Sequence, residues 1–177
     1  LYSRQRTPNI GSFPFAPFTG DFGADQRLFN FTHIWAITPN TINDTRLQYR
    51  RLKFGWTVPE QFASFPNLDI SSLGLFVGPE GNSPQSTLEN AYQVINNFSW
   101  TKGRHSIKFG GEFRKWISPN EFLPRSSGEY DWESLQSFLL DEIPTGSNGA
   151  LRGVGTGVFA DNRNAFYGFF QDDFKIH

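Results

Sequence analysis

The sequence predicts an all-β fold, an antiparallel up-and-down meander of about six strands with long loops and one short helix. Two observations predict it. Polar and apolar residues alternate in segments of about ten residues, and short and long connections follow one another along the chain. The chain of 177 residues has 20 Phe and neither Cys nor Met, which excludes a disulfide scaffold, a zinc finger and a thiol nucleophile.

Charge and reactive side chains exclude further classes of function. Sixteen Lys and Arg against 17 Asp and Glu give a net charge of −1, so we expect no nucleic-acid partner. His33 and His105 are far apart and lack metal-ligand spacing. Asp172 and Asp173 are neighbours on a predicted strand and would point to opposite faces. We therefore expect no catalytic, cofactor or metal site and no enzyme.

The predicted strands form two hairpins and two further strands. Short polar turns at 38–41 and 102–105 close the hairpins. The six predicted strands cover residues 1–6, 27–37, 42–56, 92–101, 106–114 and 165–176.

In the clearest of these strands one parity is apolar and the other is polar, which predicts one face in lipid and one in water. Both parities are aromatic at the start of the last strand, so its faces are not assigned. The same pattern would fit a soluble sheet with one solvated face. In the membrane interpretation the lipid-facing residues are Leu47, Tyr49, Phe98, Ile107, Phe109 and Phe113. The lumen-facing residues are then Arg46, Gln48, Arg50, Lys108, Glu112 and Arg114.

Two local features interrupt the pattern. After Arg50 the apolar parity switches to Leu52, Phe54 and Trp56, which predicts either a β-bulge near Arg50 and Arg51 or a strand that has left the oily layer. In the stretch 118–163, Asp131 is predicted to cap a short helix that ends by Pro144.

The connections favour a membrane barrel over a soluble sheet. The long stretches 7–26, 57–90 and 118–163 would all lie at one end of the meander and the short turns at the other, as in transmembrane β-barrels. Four tryptophans lie near predicted strand ends, where two aromatic girdles are expected. They are Trp35, Trp56, Trp100 and Trp116.

Four segments carry a resemblance to a known family. They are 39–47 (PNTINDTRL), 97–114 (NFSWTKGRHSIKFGGEFR), 137–144 (SFLLDEIP) and 166–176 (FYGFFQDDFKI). In this order they resemble a periplasmic turn with its rising strand, a strand–turn–strand, a short helix in an outer loop, and an aromatic strand of TonB-dependent outer-membrane receptors of the Oar-like group.

The resemblance implies a barrel of about 22 strands with an N-terminal plug, which moves bulky cargo across the bacterial outer membrane with energy relayed by TonB. Six strands are fewer than the roughly eight of the smallest membrane barrels, and we recognise no plug, TonB-contact segment or signal peptide in the chain. We therefore expect a partial barrel domain spanning 1–177 that does not function alone. Its expected partners are outer-membrane lipid, the remainder of the barrel and plug, TonB through the missing N-terminal part, and a cargo of unknown identity.

The alternative is a soluble all-β module that binds carbohydrate or another ligand, with loop aromatics that stack on sugars. Such a module would fold in plain buffer as two facing sheets, whereas a barrel segment would not.

Overall fold

A computed structural model describes residues 1–10 and 15–176. Part of the predicted loop 7–26, residues 11–14, lies outside the described residues. The strands are β1 (Tyr2–Ile10), β2 (Gly20–Thr38), β3 (Thr41–Trp56), β4 (Asn67–Ile70), β5 (Leu75–Val77), β6 (Gln85–Lys102), β7 (His105–Ile117), β8 (Pro119–Phe122), β9 (Glu129–Trp132), β10 (Ala150–Leu151), β11 (Val158–Ala160) and β12 (Arg163–Phe174). The α-helix α1 covers Leu135–Leu139, and short 3₁₀ helices cover Ala16–Phe18, Glu60–Phe62 and Ser71–Leu73.

The larger sheet is the predicted meander. Its hydrogen-bonded order is β1-β2-β3-β6-β7-β12, and every neighbouring pair is antiparallel. The short strand β8 follows β7 and pairs with the first three residues of β6, Gln85 to Thr87, and β8 pairs in turn with β11. The prediction of an antiparallel all-β fold with about six strands in chain order and one short helix is confirmed.

Both predicted hairpin turns are present. Thr38 pairs with Thr41 across the first turn, and Lys102 pairs with His105 across the second. Gly103 lies in the second turn with φ of +59°, a left-handed conformation that a glycine adopts without strain.

Two strands begin well before their predicted starts. β2 begins at Gly20 and β6 at Gln85, each seven residues earlier than the alternation indicated. The predicted bulge near Arg50 and Arg51 is wrong, because β3 keeps an uninterrupted register with β2 and β6 through both residues up to Trp56. The parity switch therefore reflects a change of surroundings along one continuous strand.

The long connections are more ordered than the sequence indicated. Residues of 57–90 and 118–163 form a second sheet in the order β10-β9-β4-β5, in which β4 and β9 run parallel. Phe18, from the connection between β1 and β2, packs against Phe62 and Phe65 at ring-centroid distances of 4.7 and 5.1 Å. We call the parts of 57–84 and 123–157 in and around this sheet the outer-loop layer.

The cap of α1 differs from the prediction. Ser134, not Asp131, caps the helix, and a reciprocal capping box joins Ser134 and Ser137. The helix ends at Leu139, well before Pro144. Asp131 lies in β9 instead, and its carboxylate accepts hydrogen bonds from Ser71, Ser147 and the backbone N–H of Asn148 rather than capping the helix.

The larger sheet is open. Within the described residues no hydrogen-bonded pairing joins β1 to β12, so both strands leave one edge unpaired. Buried hydrophobic side chains are found in the outer-loop layer, where Ile70 and Trp132 are 2% and 8% exposed. The larger sheet is therefore an open wall, and the packed core lies in the outer-loop layer.

Candidate functional site

The strand register places the predicted lipid-facing residues on one face of the wall. One row across the sheet consists of Phe31, Leu47, Val94, Phe113 and Phe166. The neighbouring rows on this face bring Tyr49 beside Tyr92 and Phe98 beside Phe109 at ring-centroid distances of 5.1 and 5.0 Å. All six residues of that set, Leu47, Tyr49, Phe98, Ile107, Phe109 and Phe113, lie on this face, which we call the apolar face.

The opposite face, here called the polar face, carries all six predicted lumen-facing residues. They are Arg46, Gln48, Arg50, Lys108, Glu112 and Arg114.

Three arginines of the polar face form ion pairs. Arg46 is paired with Asp44 at 2.6 Å between Nη2 and Oδ2, and Arg50 is paired with Glu89 on the neighbouring strand. Arg114 is paired with Glu112. Pairing of opposite charges on a solvated face makes such a row of charges tolerable.

The polar face is also the more sheltered one. Along the middle of β6, from Ala91 to Asn97, the polar-face residues are partly buried and the apolar-face residues are exposed. A hollow of about 290 Å³ lies over β3, β6 and β7, lined in part by Gln48, Arg50 and Arg114. A sheet that bends toward its polar face shelters that face in this way.

The four girdle tryptophans do not share a face. Trp35 and Trp100 lie on the apolar face close to the short turns. Trp56 and Trp116 lie on the polar face at the other end of the strands. A girdle residue must point toward lipid, so the register contradicts the girdle prediction for Trp56 and Trp116. Trp116 instead lies under the guanidinium of Arg163 at 4.9 Å.

A polar network lies within the apolar face and was not predicted. The Asn43 and Asn96 side-chain amides donate to each other's Oδ1 at 3.1 Å, and the Asn96 amide also donates to Thr45 Oγ1 at 2.8 Å. Asn96 broke the alternation in the sequence, and that break was the available signal. Mutual hydrogen bonding lets these amides lie on an apolar surface at reduced desolvation cost.

A buried carboxylate organises the outer-loop layer. The side chain of Asp131 is 0% exposed. It accepts hydrogen bonds from Ser71 Oγ at 2.5 Å, Ser147 Oγ at 3.0 Å and the backbone N–H of Asn148 at 3.0 Å. Burial alone would raise the pKa of Asp131, but these hydrogen bonds outweigh it and hold the pKa below its ordinary value. A glycine at 146 lets the chain lie against the carboxylate, since a Cβ there would lie 2.2 Å from Oδ1.

The charge of Asp131 acts on its parallel neighbour. Asp69 on β4 is directly opposite Asp131 on β9. Burial raises the pKa of Asp69, and the negative charges of Asp131 and Glu129 raise it further. The surroundings therefore stabilise the anionic form of Asp131 and destabilise the anionic form of Asp69.

Two further kinds of feature are absent from the described residues. Across 1–10 and 15–176, no group of three or more His, Cys, Asp or Glu is placed to hold a metal ion. No helix in the same part of the chain is long and apolar enough to cross a bilayer.

Comparison with known protein families gives the chain its class. A family model described as an outer membrane beta barrel domain matches residues 1–177, the whole chain. The chain belongs to this family. A comparison with curated proteins and one with solved structures gave no match. Membership places this outer membrane beta-barrel domain in the bacterial outer membrane and gives no support to the soluble alternative.

Proposed function

We propose that this beta-barrel domain is a segment of the wall and outer loops of a TonB-dependent transporter that moves bulky cargo across the outer membrane. The observation that carries the proposal is the open, curved wall with an ion-paired polar face. In lipid, an open sheet edge leaves backbone groups without partners. Strands of the remaining barrel would therefore pair with β1 and β12, and the closed barrel would be wide.

The polar face supports a water-filled lumen. Arg or Lys facing lipid near the bilayer midplane costs roughly 2–4 kcal/mol, whereas charges facing water are well tolerated. In this proposal Arg50 with Glu89 and Arg114 with Glu112 face the lumen, and the apolar face contacts lipid. The chain itself has no catalytic role in the proposal.

The TonB-dependent part of the proposal is supported by the four segments that resemble that receptor group, 39–47, 97–114, 137–144 and 166–176. The remaining partners follow from it: a plug inside the lumen, TonB reached through another part of the protein, and a cargo met first by the outer-loop layer.

Cysteine labelling in cells tests the proposal, because these 177 residues contain no Cys. The variants Gln48→Cys on the polar face and Leu47→Cys on the apolar face form a matched pair of neighbours. A membrane-impermeant maleimide is applied to cells that make the full-length protein, with and without TonB and with and without a protonophore.

We expect Gln48→Cys to be labelled, and labelled faster when TonB and the proton gradient are present, because plug movement opens the lumen. Leu47→Cys should stay unlabelled in every condition. Labelling of Gln48→Cys that is independent of TonB would refute the transporter assignment and leave an outer-membrane barrel of another kind. Labelling of Leu47→Cys alone would reverse the two faces.

A further inference from the structure

The polarity of the apolar face reverses along the strands. Phe29, Tyr49 and Tyr92 form an aromatic row across β2, β3 and β6. The next row toward the long connections contains Arg27 and Arg51, and the row after it contains Lys53. Each strand residue advances about 3.4 Å, and rows on one face are two residues apart. The face therefore changes from aromatic to cationic within about 7 Å.

The cations form one continuous patch. Arg27 and Arg51 are direct cross-strand partners. Arg4 on β1 and Lys53 on β3 lie on either side of Asp25 in the neighbouring row. Arg4, Arg27 and Lys53 are exposed and Arg51 is half-buried. We call Arg4, Arg27, Arg51 and Lys53 the basic patch.

Carboxylates neutralise only one of the four cations of the basic patch, Arg27. Asp25 accepts from Arg27 Nε at 3.2 Å and from the Tyr2 hydroxyl at 3.0 Å. Farther from the aromatic row, Arg6 is paired with Asp21. Arg51 and Lys53 have no ion pair or side-chain hydrogen bond to any residue of 1–10 or 15–176.

Two further facts distinguish this patch. Arg4 likewise lacks a partner in that part of the chain, whereas Arg46, Arg50 and Arg114 on the polar face each have a carboxylate. Two further carboxylates lie on this face by register: Glu121 at the far end of the rows on β8, and Asp172 on β12, which is paired with His105 near the second short turn. The surplus of positive charge is therefore local to β1, β2 and β3.

We propose that the basic patch binds the phosphorylated headgroup of an outer-leaflet lipid. Like charges directly opposite each other destabilise a sheet, so the Arg27–Arg51 pair favours an anion between the two guanidinium groups. Arginine forks match phosphate oxygens in geometry as well as charge. The aromatic row directly below is the kind of surface that lies at headgroup level, which favours a lipid phosphate over a free one.

The proposal rests on the apolar face contacting lipid in the outer membrane. Full-length protein is extracted in mild detergent and titrated with diphosphorylated lipid A, with fully dephosphorylated lipid A and with inorganic phosphate. Bound lipid is counted by native mass spectrometry. The test variant is Arg51→Gln/Lys53→Gln, and the matched control is Lys102→Gln/Arg104→Gln at the second short turn, at the opposite end of the wall.

We expect the unmodified protein and the control to bind diphosphorylated lipid A at least tenfold more tightly than the dephosphorylated form. The test variant should lose most of this preference while it keeps its heat-resistant folded band on gels. Equal binding by test variant and control would overturn the proposal, and inhibition by millimolar inorganic phosphate alone would identify a free-phosphate site instead. Labelling at Leu47→Cys and Gln48→Cys reports the orientation of the faces separately, so failure of the patch and failure of the proposed function can be told apart.

Discussion

A single substitution on the apolar face tests its assignment to lipid most directly. Phe109 lies four residues beyond His105, where β7 leaves its short turn. At about 3.4 Å per residue that is about 14 Å along the strand. A strand tilt of about 40° converts this to roughly 10 Å along the membrane normal, close to the middle of an apolar band about 25 Å tall. Phe109→Arg therefore places a charge near the most unfavourable depth.

The expected size of the effect follows from this depth. A cation at the midplane of the lipid face costs about 2–4 kcal/mol, and loss of the aromatic contact with Phe98, at a ring-centroid distance of 5.0 Å, adds about 1 kcal/mol. Since each 1.4 kcal/mol is a factor of about ten, the folding equilibrium constant should fall by at least about 100-fold. Lys108→Gln, one residue away on the polar face, should leave folding nearly unchanged, because Lys108 has no ion-pair partner in the described residues.

Both variants are made in the full-length protein and unfolded reversibly by guanidinium in phospholipid vesicles. Phe109→Leu serves as the control for lost aromatic packing, and it should retain an apolar contact with lipid. If Phe109→Arg and Lys108→Gln insert and unfold alike, the assignment of the two faces is wrong.

The outer-loop layer gives three further predictions. Asp131→Asn should reduce the hydrogen-exchange protection of β4 and β9 by about 1–3 kcal/mol, because a charged acceptor of three hydrogen bonds is lost. Asp69→Asn should increase this protection, because it removes the repulsion between Asp69 and the charge of Asp131. A loss of protection in both variants would contradict this account. The pKa of Asp131 is lowered on folding, so its contribution is present above the unfolded-state value of about 3.9 and is lost as the pH falls through the folded-state value. Hydrogen-exchange protection of β4 and β9 in the Asp69→Asn variant should therefore fall as the pH is lowered. The double variant Asp69→Asn/Asp131→Asn should not show this fall. Ser134→Ala should lower exchange protection of α1 by about 0.5–2 kcal/mol and Ser134→Asp should restore it, and equal protection in all three proteins would exclude the capping role.

The two hairpins could be predicted from sequence because their signal is local. Alternation within a strand depends on which side meets water, and a short polar turn fixes which strands pair. For Leu47 and Lys108 the register therefore separates the faces as the alternation indicated. The same reasoning missed the first seven residues of β2 and β6, because the polarity of the faces changes toward the long connections and the alternation is lost there.

By itself, the sequence determined the meander, its short turns and the division of the wall into an apolar and a polar face. Only the tertiary structure decided the outer-loop layer, in which Asp69 and Asp131 meet across 62 residues of chain in a parallel pair. Strands of two to four residues are too short for a periodic signal, and their pairing depends on contacts between distant loops. The position of Trp56 and Trp116 on the polar face likewise follows from register across the whole sheet, because a strand end alone does not state which way its side chain points.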